Sequence, residues 1–271
     1  MICNAKPSSE FEDLVLAYQS LHFYFPSKTE QLFTAHTSFW IAIPLGDPIE
    51  ALHAPTSSSK LMLQKPYVFA SNFQSQPMYP CGNFRIFGIE LSPAGLHSLL
   101  DGIPGEEIVN KIMNLDDFFP SSEVLQLQER IGEEKSFEKQ IAIVEAFLRI
   151  YMRIEKRNLQ VPMYVTQELM RHQGMISINS ISNRLGASEQ HVRRKFKEVA
   201  GVSPKFHGRI MRFNALLQGV SENQANWLTL VERFGYFDQS HLIKDFNTFT
   251  GKSPLFFDPN AYELNISQSR K

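Results

Sequence analysis

Gly201-Val202-Ser203-Pro204-Lys205-Phe206 and Gly251-Lys252-Ser253-Pro254-Leu255-Phe256 stand at an offset of 50 and share the pattern Gly-x-Ser-Pro-x-Phe. At the same offset His191 meets His241, Val192 meets Leu242 and Phe196 meets Phe246. Upstream, Leu185-Gly186 meets Phe234-Gly235 at an offset of 49, so the second copy carries one extra residue after its glycine. One matched position would mean little. A six-residue pattern in register with aromatic anchors marks a repeated supersecondary unit.

Each copy reads as helix, turn, helix. In the first, Ile178, Ile181 and Leu185 are apolar at helical spacing, and Gly186 follows as a helix-ending residue able to turn left-handed. Ser188 then caps a second helix that carries Val192, Phe196 and Val199 inward. In the second copy Trp227, Leu230, Val231 and Phe234 supply the first helix, Gly235 the turn and Asp238 the cap, with Leu242, Phe246 and Phe249 inward. A short helix, a glycine turn and a second helix is the arrangement that lays its second helix in the DNA major groove.

The inward set leaves Gln190, Arg193, Arg194 and Lys197 on the outer face of the first unit's second helix. On an isolated helix such residues ordinarily form a solvated basic face. On the second helix of a repeated motif they suit DNA, because Arg grips guanine bidentately and Gln does the same for adenine. The second unit presents Gln239, Ser240, Ile243, Lys244 and Asn247, a less basic face on which Ile243 offers an apolar contact to a thymine methyl. It is expected to bind more weakly, or mainly to hold the DNA backbone.

Phe234-Gly235-Tyr236-Phe237-Asp238-Gln239-Ser240-His241-Leu242, then Phe246 and Phe249-Thr250-Gly251-Lys252-Ser253-Pro254, resemble the signature of the AraC/XylS family of bacterial transcription activators, and the likeness runs from about Ile176 to Phe257. The resemblance implies an all-α domain over 162–260. Its two helix-turn-helix units, about 176–200 and 226–250, are joined by a long helix near 204–218. That helix would hold the two reading helices roughly 34 Å apart, in successive major grooves. By position, base contacts fall to Gln190, Arg193 and Arg194 in the first unit and to Gln239, Ser240, Ile243 and Lys244 in the second. Phosphate contacts fall to Lys197, Lys205 and Arg209. His191 and His241 open the reading helices and fit a packing or hydrogen-bonding role at the turn better than a base contact. Val231 and Phe213 stand where the family commonly has Ala, which adds volume at helix crossings.

The 271 residues include 27 Lys and Arg, 28 Asp and Glu and 43% hydrophobic side chains, enough for two domains with cores and too apolar for a disordered chain. The near-neutral total hides an asymmetry: 13 Lys and Arg against 19 Asp and Glu in 1–160, and 14 against 9 in 161–271. The second half is thus the one suited to a polyanion. No run of about 18 apolar residues and no basic-then-apolar leader is present, so the chain reads as cytoplasmic, with no membrane partner. Cys3 and Cys81 exclude a disulfide framework and a four-cysteine zinc site.

The first half reads as an α+β domain over 1–158. Leu21–Phe25, Ser38–Ile43, Tyr67–Ala70 and Phe84–Leu91 are short antiparallel strand candidates, and Ser92-Pro93 starts a helical region reaching about residue 158. Its longest helix is expected over Ser136–Asn158, with one stripe of Phe137, Ile141, Val144, Leu148 and Tyr151 and a second of Ile143, Phe147, Ile150 and Ile154. Either both stripes pack on the domain, or one forms a dimer contact. The charged run Glu155–Gln160, ending at Val161-Pro162, marks the domain boundary. Gly88–Leu96, Leu99–Pro104 and Asn114–Phe119 resemble a regulatory domain of unassigned function found in front of some AraC-type modules, which implies a sensor or oligomerisation role.

No Gly-x-Ser-x-Gly elbow, phosphate-cradling loop or paired His on a helix supports catalysis. Cys81 reads as a small loop thiol, with a redox or alkyl-accepting thiol as the alternative. His22, His36, His53 and His97 lack ligand spacing, so neither metal nor cofactor is expected. The aromatic strands either fill a core or line a pocket for an apolar effector. The sequence therefore describes a non-enzymatic, sequence-specific transcription regulator, modulated by a small molecule or by dimerisation through its first domain. Double-stranded DNA is its partner, with RNA polymerase, a small-molecule effector and a second copy as further candidates. The rival readings are a ligand-independent dimerising or architectural DNA-binding protein and, less favoured, an enzyme domain fused to a DNA-binding tail.

Overall fold

A computed structural model describes residues 1–33, 35–52, 59–69, 73–152, 156–222 and 231–254. Strands β1 (Ile2–Ala5), β2 (Val15–Phe25), β4 (Phe39–Pro44), β7 (Tyr67–Phe69), β9 (Gly82–Leu91) and β10 (Ile112–Asn114) form one antiparallel sheet in the order β1-β2-β9-β4-β7-β10. Strands β3 (Gln31–Phe33), β5 (Ile49–Leu52), β6 (Lys60–Leu63) and β8 (Gln76–Tyr79) form a second in the order β3-β8-β5-β6. The spine is the β2–β9 ladder, in register from Val15 opposite Leu91 to Phe25 opposite Gly82, with an irregularity between Val15 and Ala17.

Alternate residues of a strand face opposite sides, and here both sides are apolar. Phe39, Ile41 and Ile43 of β4 and Phe87, Ile89 and Leu91 of β9 enter a core shared with helices α1 (Pro93–Leu99), α3 (Ser121–Glu133) and α4 (Phe137–Tyr151). Ala42, Phe84 and Ile86 face the other way, into a core closed by Ile49, Ala51 and Met78 of the second sheet. Helix α1 begins as its residues require: Ser92 Oγ accepts the Gly95 N–H at 3.1 Å and Pro93 occupies the first turn.

Two expectations are corrected. The helical region after Ser92 is interrupted by β10, which pairs with β7 at Met113 opposite Val68; with α2 (Gly105–Ile108) before it, this stretch alternates short elements. Nor does one helix run from 136 to 158. Helix α4 ends at Tyr151, where Met152 turns to extended backbone (φ −79°, ψ 108°) and its side chain enters the first core. On α4, Val144, Phe147 and Leu148 are buried and Phe147 stacks on Phe119 and Tyr151, whereas Ile150 of the second stripe is 72% exposed. Ile154 lies outside the described residues.

Helix α5 (Lys156–Arg171) runs through Pro162, whose missing N–H removes one intrahelical bond. Helices α6 (Ile178–Leu185), α7 (Glu189–Ala200), α8 (Pro204–Glu222) and α9 (Gln239–Thr250) follow, and residues 231–233 are helical. Val165, Leu169, Ile178, Ile181, Val192 and Phe196 form the core of the first unit, and Ile210, Phe213, Leu217, Phe234, Phe246 and Phe249 that of the second. Phe213 earns its volume there, stacking on Phe246 and Phe249 at ring separations of 5.0 and 5.1 Å. Val199 departs from expectation: it joins the core of the sheet domain. Trp227, Leu230, Leu255 and Phe256 lie outside the described residues.

Candidate nucleic-acid interface and the interdomain cavity

The sequence repeat is a repeat of backbone conformation. Gly186 and Gly235 both take φ of 62°, the left-handed turn that separates the two helices of each unit. After it, Ser188 Oγ accepts the His191 N–H at 3.2 Å and Asp238 Oδ1 accepts the His241 N–H at 2.7 Å. The same side-chain cap therefore starts α7 and α9, and the inward residues of each helix fix which face turns outward.

On α7, Gln190, His191, Arg193, Arg194 and Lys197 are exposed, and Lys205 is exposed in the first turn of α8. Arg193 donates to Glu189 at 2.6 Å, which holds that carboxyl below the usual range. Arg194 lies 4.0 Å from Glu198, and Lys197 lies 3.6 Å from Glu106 of α2. Exposed pairs of this kind contribute little in water, so they leave these side chains free to exchange partners. On α9, Gln239, Ser240, Lys244 and Asn247 are exposed and Ile243 and His241 are half-buried, His241 against the Tyr236 ring.

Arg209 is placed differently. Half-buried, it donates to Asp245 at 2.6 Å, and its guanidinium lies 5.6 Å from the ring centres of both Phe206 and Phe249. Arg212 approaches the other Asp245 oxygen at 3.5 Å, stacks on Tyr236 at 4.4 Å and reaches the Gly235 carbonyl at 3.4 Å. Asp245, wholly buried, thus braces α9 against α8. Sequence reading missed it, because an acidic residue on an inward face has no local signature. It also passed over Phe237, 92% exposed immediately before the Asp238 cap; its position outside the helical stripe was the available signal. A second brace joins α5 to α6, where buried Glu168 accepts from Arg184 and, at 2.9 Å, from Arg171.

The sheet domain holds both α7 and α9 by their ends. At α7, a Cβ on Gly105 would lie 2.2 Å from the Gly201 nitrogen and 2.5 Å from the Val199 carbonyl oxygen, so only glycine permits this approach. At α9, the Phe249 carbonyl accepts from the Ser75 N–H at 2.9 Å and from its hydroxyl at 3.0 Å. Gly105→Val is therefore expected to destabilise the full chain by about 1–3 kcal/mol through overpacking, measured by urea unfolding. An unchanged midpoint would show that α2 and α7 are not in backbone contact.

Between the sheets and helices α5 and α8 lies a cavity of about 340 Å³, within the range of small-molecule sites. Trp40, Phe69 and Ile86 form its sheet wall, and Thr166, Met170, His207, Met211 and Asn214 its helical wall. His207 packs edge-on against Phe196 of α7 at 5.1 Å, so one residue touches both the cavity and the core of the first helix-turn-helix unit. Burial pushes His207 down to about 3 and His36, on the sheet side, down to about 4. The aromatic strands thus do both things anticipated of them, filling a core and lining a pocket.

Cys3 is half-buried and Cys81 exposed. Among the described residues no group of three His, Cys, Asp or Glu is placed to hold a metal, and no helix is long and apolar enough to cross a membrane.

The model of a helix-turn-helix domain family matches residues 181–258. No curated protein matches the chain by sequence. Among solved structures, ToxT from Vibrio cholerae is 11% identical over 88% of this chain and 96% of its own, with a TM-score of 0.48. ToxT from Vibrio cholerae O395 bound to (E)-4-(8-methylnaphthalen-1-yl)but-3-enoic acid is 10% identical over 88% and 96%, with a TM-score of 0.48. The AraC-like transcriptional activator CuxR is 11% identical over 82% and 87%, with a TM-score of 0.28.

Proposed function

We propose that this chain is a DNA-binding transcription regulator of the AraC type, whose carboxy-terminal helix-turn-helix domain reads two successive major grooves under the control of a small molecule. Residues 162–260 are the DNA-binding domain and residues 1–158 the regulatory domain. The observation that carries this reading is the twice-built capped helix with its polar face exposed. Helix α7 is the stronger reader, through Gln190, Arg193 and Arg194; α9 is the weaker, through Gln239, Ser240, Ile243 and Lys244. Lys197 and Lys205 take phosphates. Arg209 acts at one remove, by holding α9 in place through Asp245.

Phosphate contacts supply affinity and its salt dependence, while each good bidentate base contact discriminates by about 1–3 kcal/mol. Arg193→Ala is accordingly expected to relax base preference at one step of the site, and Lys205→Ala to weaken all sequences alike. Selection from random duplex DNA, followed by affinities on cognate and scrambled sites at two salt concentrations, separates the two. Equal losses on both sites for Arg193→Ala would remove it from the base-reading set, and a single enriched block would reduce α9 to backbone contact.

The cavity supports the effector. A ligand there touches α8, which connects the two units, and His207, which packs on the first. The sheet domain that closes the cavity also holds the ends of α7 and α9. Occupancy then changes the relative placement of the two reading helices and leaves their chemistry alone. Retained DNA affinity and spacing preference in a chain whose cavity is filled by Met211→Trp would count against this coupling.

A further inference from the structure

We infer that the cavity selects an uncharged, largely apolar molecule carrying a hydroxyl or amide donor, and that it rejects carboxylates and phosphates. This rests on reading the cavity as the effector site. Among the described residues that line it there is no Lys or Arg. The groups able to carry charge are Glu90, which is itself engaged within the protein, the phenol of Tyr67 and the imidazoles of His36 and His207. Burial keeps both imidazoles uncharged at neutral pH and pushes the Tyr67 phenol upward, away from ionisation. An anion entering this space would lose its hydration, meet no cation and face the Glu90 carboxyl, which is the expensive way to bury a charge. A cation would gain only a carboxyl that already has a partner.

The cavity does offer hydrogen bonds. Thr166 Oγ1 and Asn214 Oδ1 are buried on its helical wall without a hydrogen-bond partner, and Thr166 is only 4% exposed. Such atoms are rare in native interiors and call for an occupant. An amide oxygen accepts, so the ligand must donate. The opposite wall, with Trp40, Phe69 and Ile86, is apolar. The ligand therefore lies with its apolar body on the sheets and its polar end toward α5 and α8.

The test is calorimetric titration of the full chain with 1-decanol, decanamide, decanoate and decylamine, cross-checked by Trp40 fluorescence. Decanol and decanamide are expected to bind at least tenfold more tightly than either charged probe. The double variant Thr166→Val, Asn214→Leu is expected to lose most of the preference for decanol over its methyl ether. Gln218→Lys, which adds a cation to the lining, is expected to raise decanoate affinity at least tenfold. Decanoate or decylamine binding as tightly as decanol would overturn the inference while leaving an effector cavity in place, as would a Gln218→Lys chain with no gain. Binding of none of the four would overturn both the inference and the effector reading.

Discussion

Asp245→Ala is expected to destabilise the chain by about 3–5 kcal/mol, the usual consequence of removing one partner from a buried charge cluster. Its carboxylate is fully buried and faces two guanidiniums, Arg209 and Arg212, whose side chains are only 28% and 14% exposed. Both cations lie against aromatic rings of the second unit. Without the carboxylate they would remain desolvated and uncompensated. Burial and the same carboxylate also push the Tyr236 phenol upward, so the phenol belongs to the same buried cluster as the carboxylate and the two guanidiniums. Urea unfolding of the full chain measures the loss, and amide exchange across 239–250 locates it. Asp245→Asn, which retains an acceptor for Arg209, is expected to lose less. A loss below about 1 kcal/mol, with unchanged exchange over α9, would mean that the cluster does not hold α9. DNA selection on the Ala variant is expected to return the α7 half-site alone.

Lowering the pH from 7.5 to 5.0 is expected to remove about 4 kcal/mol of stability through two histidines. His207 and His36 are held at about 3 and about 4, below the ordinary 6.5, because burial disfavours the imidazolium. The unfolded chain takes up these protons as the pH falls through 6.5, whereas the folded chain does not. The stabilisation is complete above that pH and is lost progressively below it, at about 2 kcal/mol per histidine by pH 5. The carboxyls held low by their partners, such as the half-buried Glu50 and Glu189, start from 4.5, so they act below this window. Urea midpoints at pH 7.5, 6.0 and 5.0 are expected to fall in the parent chain and to fall about half as steeply in His207→Phe. A flat profile in the parent would show that neither ring is as buried as the fold places it.

Much of the helix-turn-helix module was legible because its signals are local. Ser188 and Asp238 reach backbone groups three residues on, and Gly186 and Gly235 turn left-handed for want of a Cβ. The three-to-four spacing of Val192, Phe196, Leu242, Phe246 and Phe249 selects the buried faces, and hence the outward ones, with no knowledge of the rest of the chain. Strands β4 and β9 were equally visible, carrying enough β-branched and aromatic residues to declare themselves, whereas of β2 only the Leu21–Phe25 end was read and its start at Val15 was missed.

What only the tertiary structure decided involves partners far apart in the chain. The family resemblance gave Arg209 a phosphate role, and nothing near it in sequence showed its pairing with Asp245, 36 residues away. Strands of three or four residues such as β3, β5 and β10 are too short to show a period, and their existence depends on neighbours that pair with them. Helix α4 ends where Met152 finds the sheet-domain core, and Val199 leaves its own unit for the same core. The aromatic strands pointed to a pocket as one of two possibilities, but its enclosure had no sequence signal, since its walls come from two sheets and from helices far apart in the chain. Caps, turns and helix faces are set within a few residues by backbone sterics and hydrogen bonding. Charge pairing, short-strand register and enclosed space arise only when distant segments pack, and these are what decide how α7 and α9 are held and what space the chain encloses.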